Sequence, residues 1–389
     1  MRGGLLALWL AAFAAWPQEP PIVVGAVVSE SGQLADLAGD MRKALILWQE
    51  DRNAAGGLLG RRIELRLLDD HSEASTALNL YRQLIERDRA DLLIGPFGSA
   101  ASAAAAAIAD NAHRVLVNAS GVTSNVQRAN RHYVFQVPAP LAGYGEGALA
   151  LARAAGYTRL QVIARNEPGA LEAAERLVAD AAALGMQAVK VTVGVGVTDY
   201  DAQIAAARAR RAEAWIAFGR AEDAAEMVKA FKRTGYAPPM FLAQGAAEPA
   251  FVRRVGQDAE FTLGITAYDP RFATPGNAEF VARWRERWKG EPGLAAANAY
   301  AAALVLEAAV RAAGSLHQER LRAALATLDI ETPIGRYLVG EGGVQLGARP
   351  AVVQIQRGRT EIVWPQALAT AQLRLPYPRW DQRQVHAPQ

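Results

Sequence analysis

The residues of this chain best suited to chemistry are small hydroxyls set beside glycines. In DLLIGPFGSAASAAAAAIAD, Asp91 to Asp110, an apolar run from Leu92 to Ile94 breaks at Gly95-Pro96-Phe97-Gly98 and reopens as an alanine-rich helix with Ser99 at the N-cap position. A strand, a tight loop and a helix start present free backbone N–H groups and the positive end of the helix dipole, which suit a carboxylate or phosphate. The same serine would equally serve only its own helix. One strand later comes a second loop of this kind, Asn118-Ala119-Ser120-Gly121-Val122-Thr123-Ser124-Asn125. Adjacent parallel strands place two such loops side by side at the carboxyl edge of the sheet, where hydroxyls and N–H groups can converge on one anion. A plain polar turn would have a similar composition.

Other groups suggest reactions and lack the parts for them. Asp69, Asp70 and His71 end a strand, but the five histidines of the chain form no ligand cluster and no HExxH spacing occurs, so these read as loop acids. Gly143, Gly145 and Gly147 follow a strand with G-x-G-x-G spacing, not the G-x-G-x-x-G of a dinucleotide loop, and two prolines intervene. With no G-x-S-x-G elbow and no GxxxxGK[ST] loop, neither acyl transfer nor nucleotide hydrolysis is indicated, and no cofactor or metal is expected.

The elements that must position these loops follow from periodicity. Strands at Ile22–Val28, Arg61–Asp70, Leu92–Ile94 and Val115–Val117 alternate with helices at 41–53, 74–89 and 99–112, a β-α-β-α-β-α-β order that predicts a doubly wound parallel α/β sheet. A strand at Tyr133–Val137 leads through Pro138 and Pro140 into a second half of the same pattern, with strands at 160–164, 187–193, 214–218, 240–242 and 261–266. Three helices at 275–289, 295–313 and 317–327 precede glycine-punctuated hairpins, and the segment beyond Pro365 reads as irregular and surface-lying.

At 389 residues and 51% apolar composition the chain is long enough for two domains with sizeable cores. A net charge of +3, with arginines scattered among acids, implies no nucleic-acid partner. At the N-terminus Arg2 precedes an apolar run from Leu5 to Ala15, and Ala12-Phe13-Ala14 supplies small residues for cleavage, so residues 1–20 are expected to be a signal peptide. The run is shorter than the roughly 20 residues a membrane span needs. With no cysteine, disulfides and a lipid-modified N-terminal cysteine are excluded, so the mature chain is expected free and monomeric in the periplasm.

In order and spacing, IVVGAVVSESGQLADLAGD, NAAGGLLGRRIELRLLDD, DLLIGPFGSAAS, NASGVTSN and TPIGRYLVGEGG resemble the type I periplasmic binding proteins of the leucine/isoleucine/valine group, over residues 22 to 365. These are the substrate-binding subunits of branched-chain amino acid ABC transporters. The resemblance implies two α/β lobes joined by three crossovers: 22–138 plus 267–338, then 139–266 plus 339–366, with 367–389 as a tail. It implies that the first lobe holds a ligand carboxylate through Ser99, Gly121 and Thr123, with Ser120 as the alternative register and Leu37 and Ala100 beside them.

In the family's amino-acid binders the second lobe supplies tyrosines and a glutamate for the ligand ammonium. Here the matching strand ends read Asn166-Glu167-Pro168-Gly169, Gly219-Arg220-Ala221-Glu222 and Gln244-Gly245-Ala246-Ala247-Glu248, so Gln244 or Gly245 stands at the glutamate position. A desolvated ammonium without its carboxylate costs several kcal/mol. The expected ligand is therefore a small carboxylate-bearing solute other than a standard α-amino acid, with Gln244 on its second-lobe side and an inner-membrane ABC permease as the partner. Arg220 either faces the cleft and favours a second acidic or polar group or is a solvated arginine at a helix start. Three other readings stay open: a sensor subunit of the same fold, a Leu/Ile/Val-like amino-acid binder with Glu222 or Glu248 at the ammonium, and an enzyme using Asp70, His71 or Glu248.

Overall fold

The computed structural model describes residues 19–383, so the signal-peptide reading of residues 1–20 falls almost wholly outside the described residues. The first sheet has five parallel strands, β1 (Ile22–Val28), β2 (Ile63–Asp69), β3 (Leu92–Ile94), β4 (Leu116–Asn118) and β5 (Val134–Gln136), in the order β2-β1-β3-β4-β5. Between them run α1 (Ala35–Ala38), α2 (Asp40–Ala54), α3 (Ala74–Glu86) and α4 (Ser99–Asn111). Continuous apolar runs suit β3 and β4 because helices cover both faces of the sheet, and every residue of both strands is buried. On one face Met41, Leu45 and Trp48 of α2 pack into the core; on the other, Tyr81 and Leu84 of α3 meet the small side chains of Ala101, Ala105 and Ala109 on α4.

After β5 the chain enters the second lobe through a short 3-10 turn and α5 (Glu146–Ala154). There follow β6 (Arg159–Arg165), α6 (Pro168–Ala183), β7 (Gln187–Val193), α7 (Asp201–Ala209), β8 (Ala214–Phe218), α8 (Ala221–Thr234), β9 (Met240–Ala243), α9 (Pro249–Val255) and β10 (Leu263–Thr266). The chain then returns to the first lobe as α10 (Asn277–Trp288), α11 (Leu294–Ala313), α12 (Gln318–Thr327) and the hairpin of β11 (Asp329–Thr332) and β12 (Gly335–Leu338). It crosses a third time to β13 (Ala351–Gln356) and β14 (Arg359–Trp364), which close the second sheet in the order β14-β13-β10-β9-β8-β6-β7. Residues up to Gln345 stay on the first lobe, where Gln345 Nε2 donates to the Val137 carbonyl at 2.8 Å and Gln127 Nε2 to that of Gly343 at 2.9 Å.

Four local expectations change. Ser99 is not the N-cap: Gly98 holds that place at φ +82°, a left-handed turn that a side chain disfavours, and Ser99 is the first helical residue. The loop expected before Met41 contains α1. Of the glycines 143, 145 and 147 the last two serve close packing, since a Cβ at Gly145 would lie 2.9 Å from Leu177 and one at Gly147 would lie 2.6 Å from Val352, whereas one at Gly143 would meet nothing within 4 Å. The tail is irregular but not loose, because Tyr377 is 3% exposed against Phe241, and Trp380 Nε1 donates to the Tyr236 carbonyl at 2.7 Å. The one described helix long and apolar enough to cross a membrane, α11, is a core helix, with 78% of its most apolar window buried.

Candidate functional site

Parallel pairing of β3 with β4, Ile94 against Val117, brings the two hydroxyl loops together at the carboxyl edge of the first sheet. They are stitched to each other. The Gly98 N–H donates to Ser120 Oγ at 3.0 Å, and the Val122 N–H donates to Ser99 Oγ at 3.3 Å. Each serine thus spends a lone pair on the neighbouring loop and keeps its own O–H proton available to an anion. The pin of the second loop is Asn118, which is fully buried; its Oδ1 accepts the N–H groups of Ser120 and Gly121 at 3.2 and 2.8 Å, and its Nδ2 donates to the Gly121 carbonyl at 2.7 Å. Sequence reasoning named this asparagine only as the start of the loop, although side-chain-to-backbone bonding of this kind is what asparagine does in turns.

Gly121 sits where a Cβ would fall 2.5 Å from Ser102, so the loop needs glycine there. Thr123 is half-buried and donates its hydroxyl to Asn125 Oδ1. Ala100 is exposed in the first turn of α4, and Leu37 is 64% exposed on α1, close to the turn where Leu34 approaches Gly98. The first lobe therefore gathers Ser99, Ala100, Ser120, Gly121 and Thr123 in two touching loops, with leucine side chains nearby.

Asp69 and His71 hold the neighbouring loop after β1. The Asp69 carboxylate accepts N–H bonds from Glu30 at 3.0 Å and His71 at 2.9 Å and the Ser31 hydroxyl at 2.7 Å, while His71 Nδ1 lies 2.6 Å from the same hydroxyl. Partial desolvation pushes the Asp69 carboxyl up, but the Ser31, His71 and Glu30 bonds outweigh it and hold the carboxyl at about 2. These groups are committed to one another as a clamp.

The second lobe's edge is charged. Arg165, at the end of β6, is 6% exposed and donates to both oxygens of the buried Asp223 at 3.1 and 2.9 Å, with Glu167 and Glu222 at 3.0 and 3.3 Å. Arg220 is exposed at the start of α8 and pairs with Glu167 at 3.2 Å, so its charge is already met within its own lobe. Gln244 is half-buried beside it, because Gly245 lets that turn approach within 2.1 Å, at its absent Cβ, of the Arg220 backbone. Glu248 is exposed, and its carboxyl is pushed up by desolvation and then by the nearby Glu222 carboxylate. Sequence reasoning weighed Glu248 only as an alternative; its carboxylate stands on this edge beside the Ala221 N–H and the Arg220 charge, which pull its carboxyl down without offsetting the rise.

The lobes meet through Ser124, whose N–H lies 3.1 and 3.2 Å from the two Glu172 carboxylate oxygens and whose hydroxyl donates to one of them at 3.0 Å. From Val122 and Thr123 a cavity of about 750 Å³ runs between α5 and α6 along the flank where the chain crosses, reaching Leu149, Leu184 and Leu346. Among the described residues no group of His, Asp or Glu is arranged to hold a metal ion.

Residues 21–360 match the family model described as periplasmic binding protein. Over 97% of its length the chain is 24% identical to the whole of the Leu/Ile/Val-binding protein homolog 7 of Brucella abortus. Its fold is that of a leucine-binding protein from Thermotoga maritima, at a TM-score of 0.73 and 23% identity over 88% of this chain and 97% of that one. It is likewise that of an ABC transporter solute-binding protein from R. palustris in complex with benzoate, at a TM-score of 0.70 and 20% identity over 92% and 97%.

Proposed function

This chain belongs to the periplasmic binding protein family, the substrate-binding subunits of branched-chain-type ABC transporters, and on that premise we propose that it captures a small carboxylate-bearing solute other than an ordinary α-amino acid. The family binds small molecules for a transporter permease and is not a family of enzymes. What carries the reading is the pair of stitched serines: Ser120 and Ser99 accept the N–H groups of Gly98 and Val122 and so keep their own hydroxyl protons to donate. Ser99 and Ser120, with the N–H group of Ala100, receive the carboxylate beside Gly121, whose own N–H serves Asn118, and Thr123, whose hydroxyl turns to the ligand from Asn125; Leu37 lies beside its apolar part. The second lobe then closes over it with Gln244 and Arg220. No bond is made or broken, and ligand shifts the lobes toward closure by its higher affinity for the closed state.

An amide at Gln244 and the lack of tyrosines in the second lobe's strand-end segments 166–169, 219–222 and 244–248 favour a ligand without an ammonium, and the benzoate complex of a similar fold agrees with that class. A second reading rests on Glu248: an exposed carboxylate on the opposite edge, with no salt bridge among the described residues, would suit the ammonium of a leucine-like ligand. A thermal-shift comparison of leucine and isoleucine with acids of the same carbon skeleton lacking the amine decides between them. A ligand at 100 times its Kd adds about 2.7 kcal/mol. Stabilisation by the amine-free acids alone supports the first reading, and equal or greater stabilisation by the amino acids replaces it with the second. We also place export by the N-terminal signal peptide, a monomeric state and delivery to an inner-membrane permease in this reading.

A further inference from the structure

We infer that Glu172 is the latch of the closed state: by bonding Ser124 across the lobes it sets how much of the protein is closed before any ligand arrives. Glu172 lies in the second turn of α6, on the second lobe, and Ser124 follows Thr123 on the first, 48 positions apart in the chain. All three bonds between them cross from one lobe to the other. They are charge-assisted, since a carboxylate accepts both a backbone N–H and a hydroxyl.

The helix offers Glu172 a competing partner and does not use it. Arg176 stands one turn on, at the i,i+4 spacing that favours a Glu-to-Arg pair, yet it bonds Asp180 at 2.9 Å. Among the described residues no lysine or arginine pairs with Glu172, so its carboxylate is spent wholly on the other lobe. The surroundings fit a contact made on closure. Gly169, in the first turn of α6, packs against Leu141, whose Cδ2 would lie 2.7 Å from a Cβ there, with Thr123 Cγ2 in ordinary contact at 3.8 Å, and the Leu141 N–H donates to the Val122 carbonyl at 2.9 Å.

A bond present only when the lobes are together adds its whole free energy to closure, and the apparent affinity of a cleft ligand rises with the closed fraction. The same segment, 122–124, carries a candidate ligand residue and the latch, so ligand and Glu172 act on one loop. The effect on affinity rests on the cleft reading above; the effect on closure does not.

Because the chain has no cysteine, two can be placed at will. Spin labels at K43C on α2 and K229C on α8, both surface lysines on opposite lobes, report the distance between lobes by pulsed EPR in the ligand-free protein. Glu172→Ala should raise the ratio of long to short distances roughly three- to tenfold, Ser124→Ala should do so less because its N–H remains, and Arg176→Gln, one turn away on the same helix, should leave the ratio unchanged. Binding of the acid that gives the largest thermal shift should weaken by a similar factor in Glu172→Ala, mostly through a faster off-rate. Superimposable distance distributions for wild type and Glu172→Ala overturn the latch. Should no acid or amino acid bind the wild type while Glu172→Ala still opens the lobes, the ligand reading fails and the latch stands.

Discussion

On the first lobe's edge the polar groups of residues 98 to 123 are neutral and bond to each other's backbone, whereas on the second lobe's edge Arg165, Glu167, Arg220, Glu222 and Asp223 are charged and bond to each other's side chains. The difference separates two tasks. Neutral hydroxyls fixed by N–H donors can receive an anion without first losing an ion partner, so their geometry is ready before binding. Two guanidiniums already surrounded by four carboxylates, counting Glu248, offer no free cation to a second acidic group. Selectivity on that side then comes from what the wall rejects as much as from what it attracts.

The contrast breaks most severely at Arg165. Its replacement by methionine leaves Asp223, 3% exposed, without its ion partner, and should cost about 3–5 kcal/mol in denaturant unfolding, with the loss confined to the second lobe if the lobes unfold separately. A cost near zero would mean that the second edge is held by packing and not by charge. The double substitution Ser99→Ala with Ser120→Ala tests the opposite property. It removes two hydroxyl donors to the ligand and should weaken carboxylate binding about 100-fold or more by calorimetry. The ligand-free protein should still melt cooperatively near the wild-type temperature, because each serine serves its loop with only one hydrogen bond. Unchanged affinity would move the anion site elsewhere.

Asp69 shows how the first lobe uses a charge when it has one. Its folded carboxyl is held at about 2, below the ordinary 3.8, so the clamp's stability is present above the unfolded value and is lost as pH falls through the folded one. Asp69→Asn should therefore cost about 1–2 kcal/mol at pH 7, and the deficit should shrink between roughly pH 4 and pH 2. A deficit that persists at pH 2 would assign the cost to lost hydrogen bonds alone.

The two hydroxyl loops of the first lobe and their adjacency were legible because their signals are local. Leu92 to Ile94 followed by a glycine turn, and Asn118 followed by Ser120 and Gly121, are strand-end and turn chemistry that short windows carry, and parallel order alone makes them neighbours. The shift of the N-cap from Ser99 to Gly98 was hidden because both residues cap helices and only the backbone angle decides. The ion network of the second lobe joins Arg165 to Asp223 over 58 positions, and Ser124 meets Glu172 over 48; pairings of that range depend on how helices seat on the sheet and how lobes approach, which no local pattern encodes. The tail's irregular, surface-lying course was legible from its prolines and arginines, but its packing was not: Arg383 is stacked 3.5 Å over Trp380 and 4.2 Å over Tyr377, covering an aromatic patch with a charge.

The smallest change, and the one that sharpens the comparison most, is Glu248→Gln. The Glu248 carboxyl is raised above its ordinary 4.5 by desolvation and the Glu222 charge, so its contribution to stability is present at low pH and is lost as pH rises through the folded value. Removing the charge should therefore raise the melting temperature slightly at pH 7, with the gain fading as pH falls through the folded value and gone below about 4.5. On binding, the two readings of the second edge give opposite signs. For an amine-free acid the substitution removes a repulsive carboxylate and should tighten binding a few-fold; for a leucine-like ligand it removes the ammonium's partner and should weaken binding by about tenfold or more. One titration of this variant with leucine and with its amine-free analogue thus determines whether the charged lobe of this protein excludes a second anion or receives a cation.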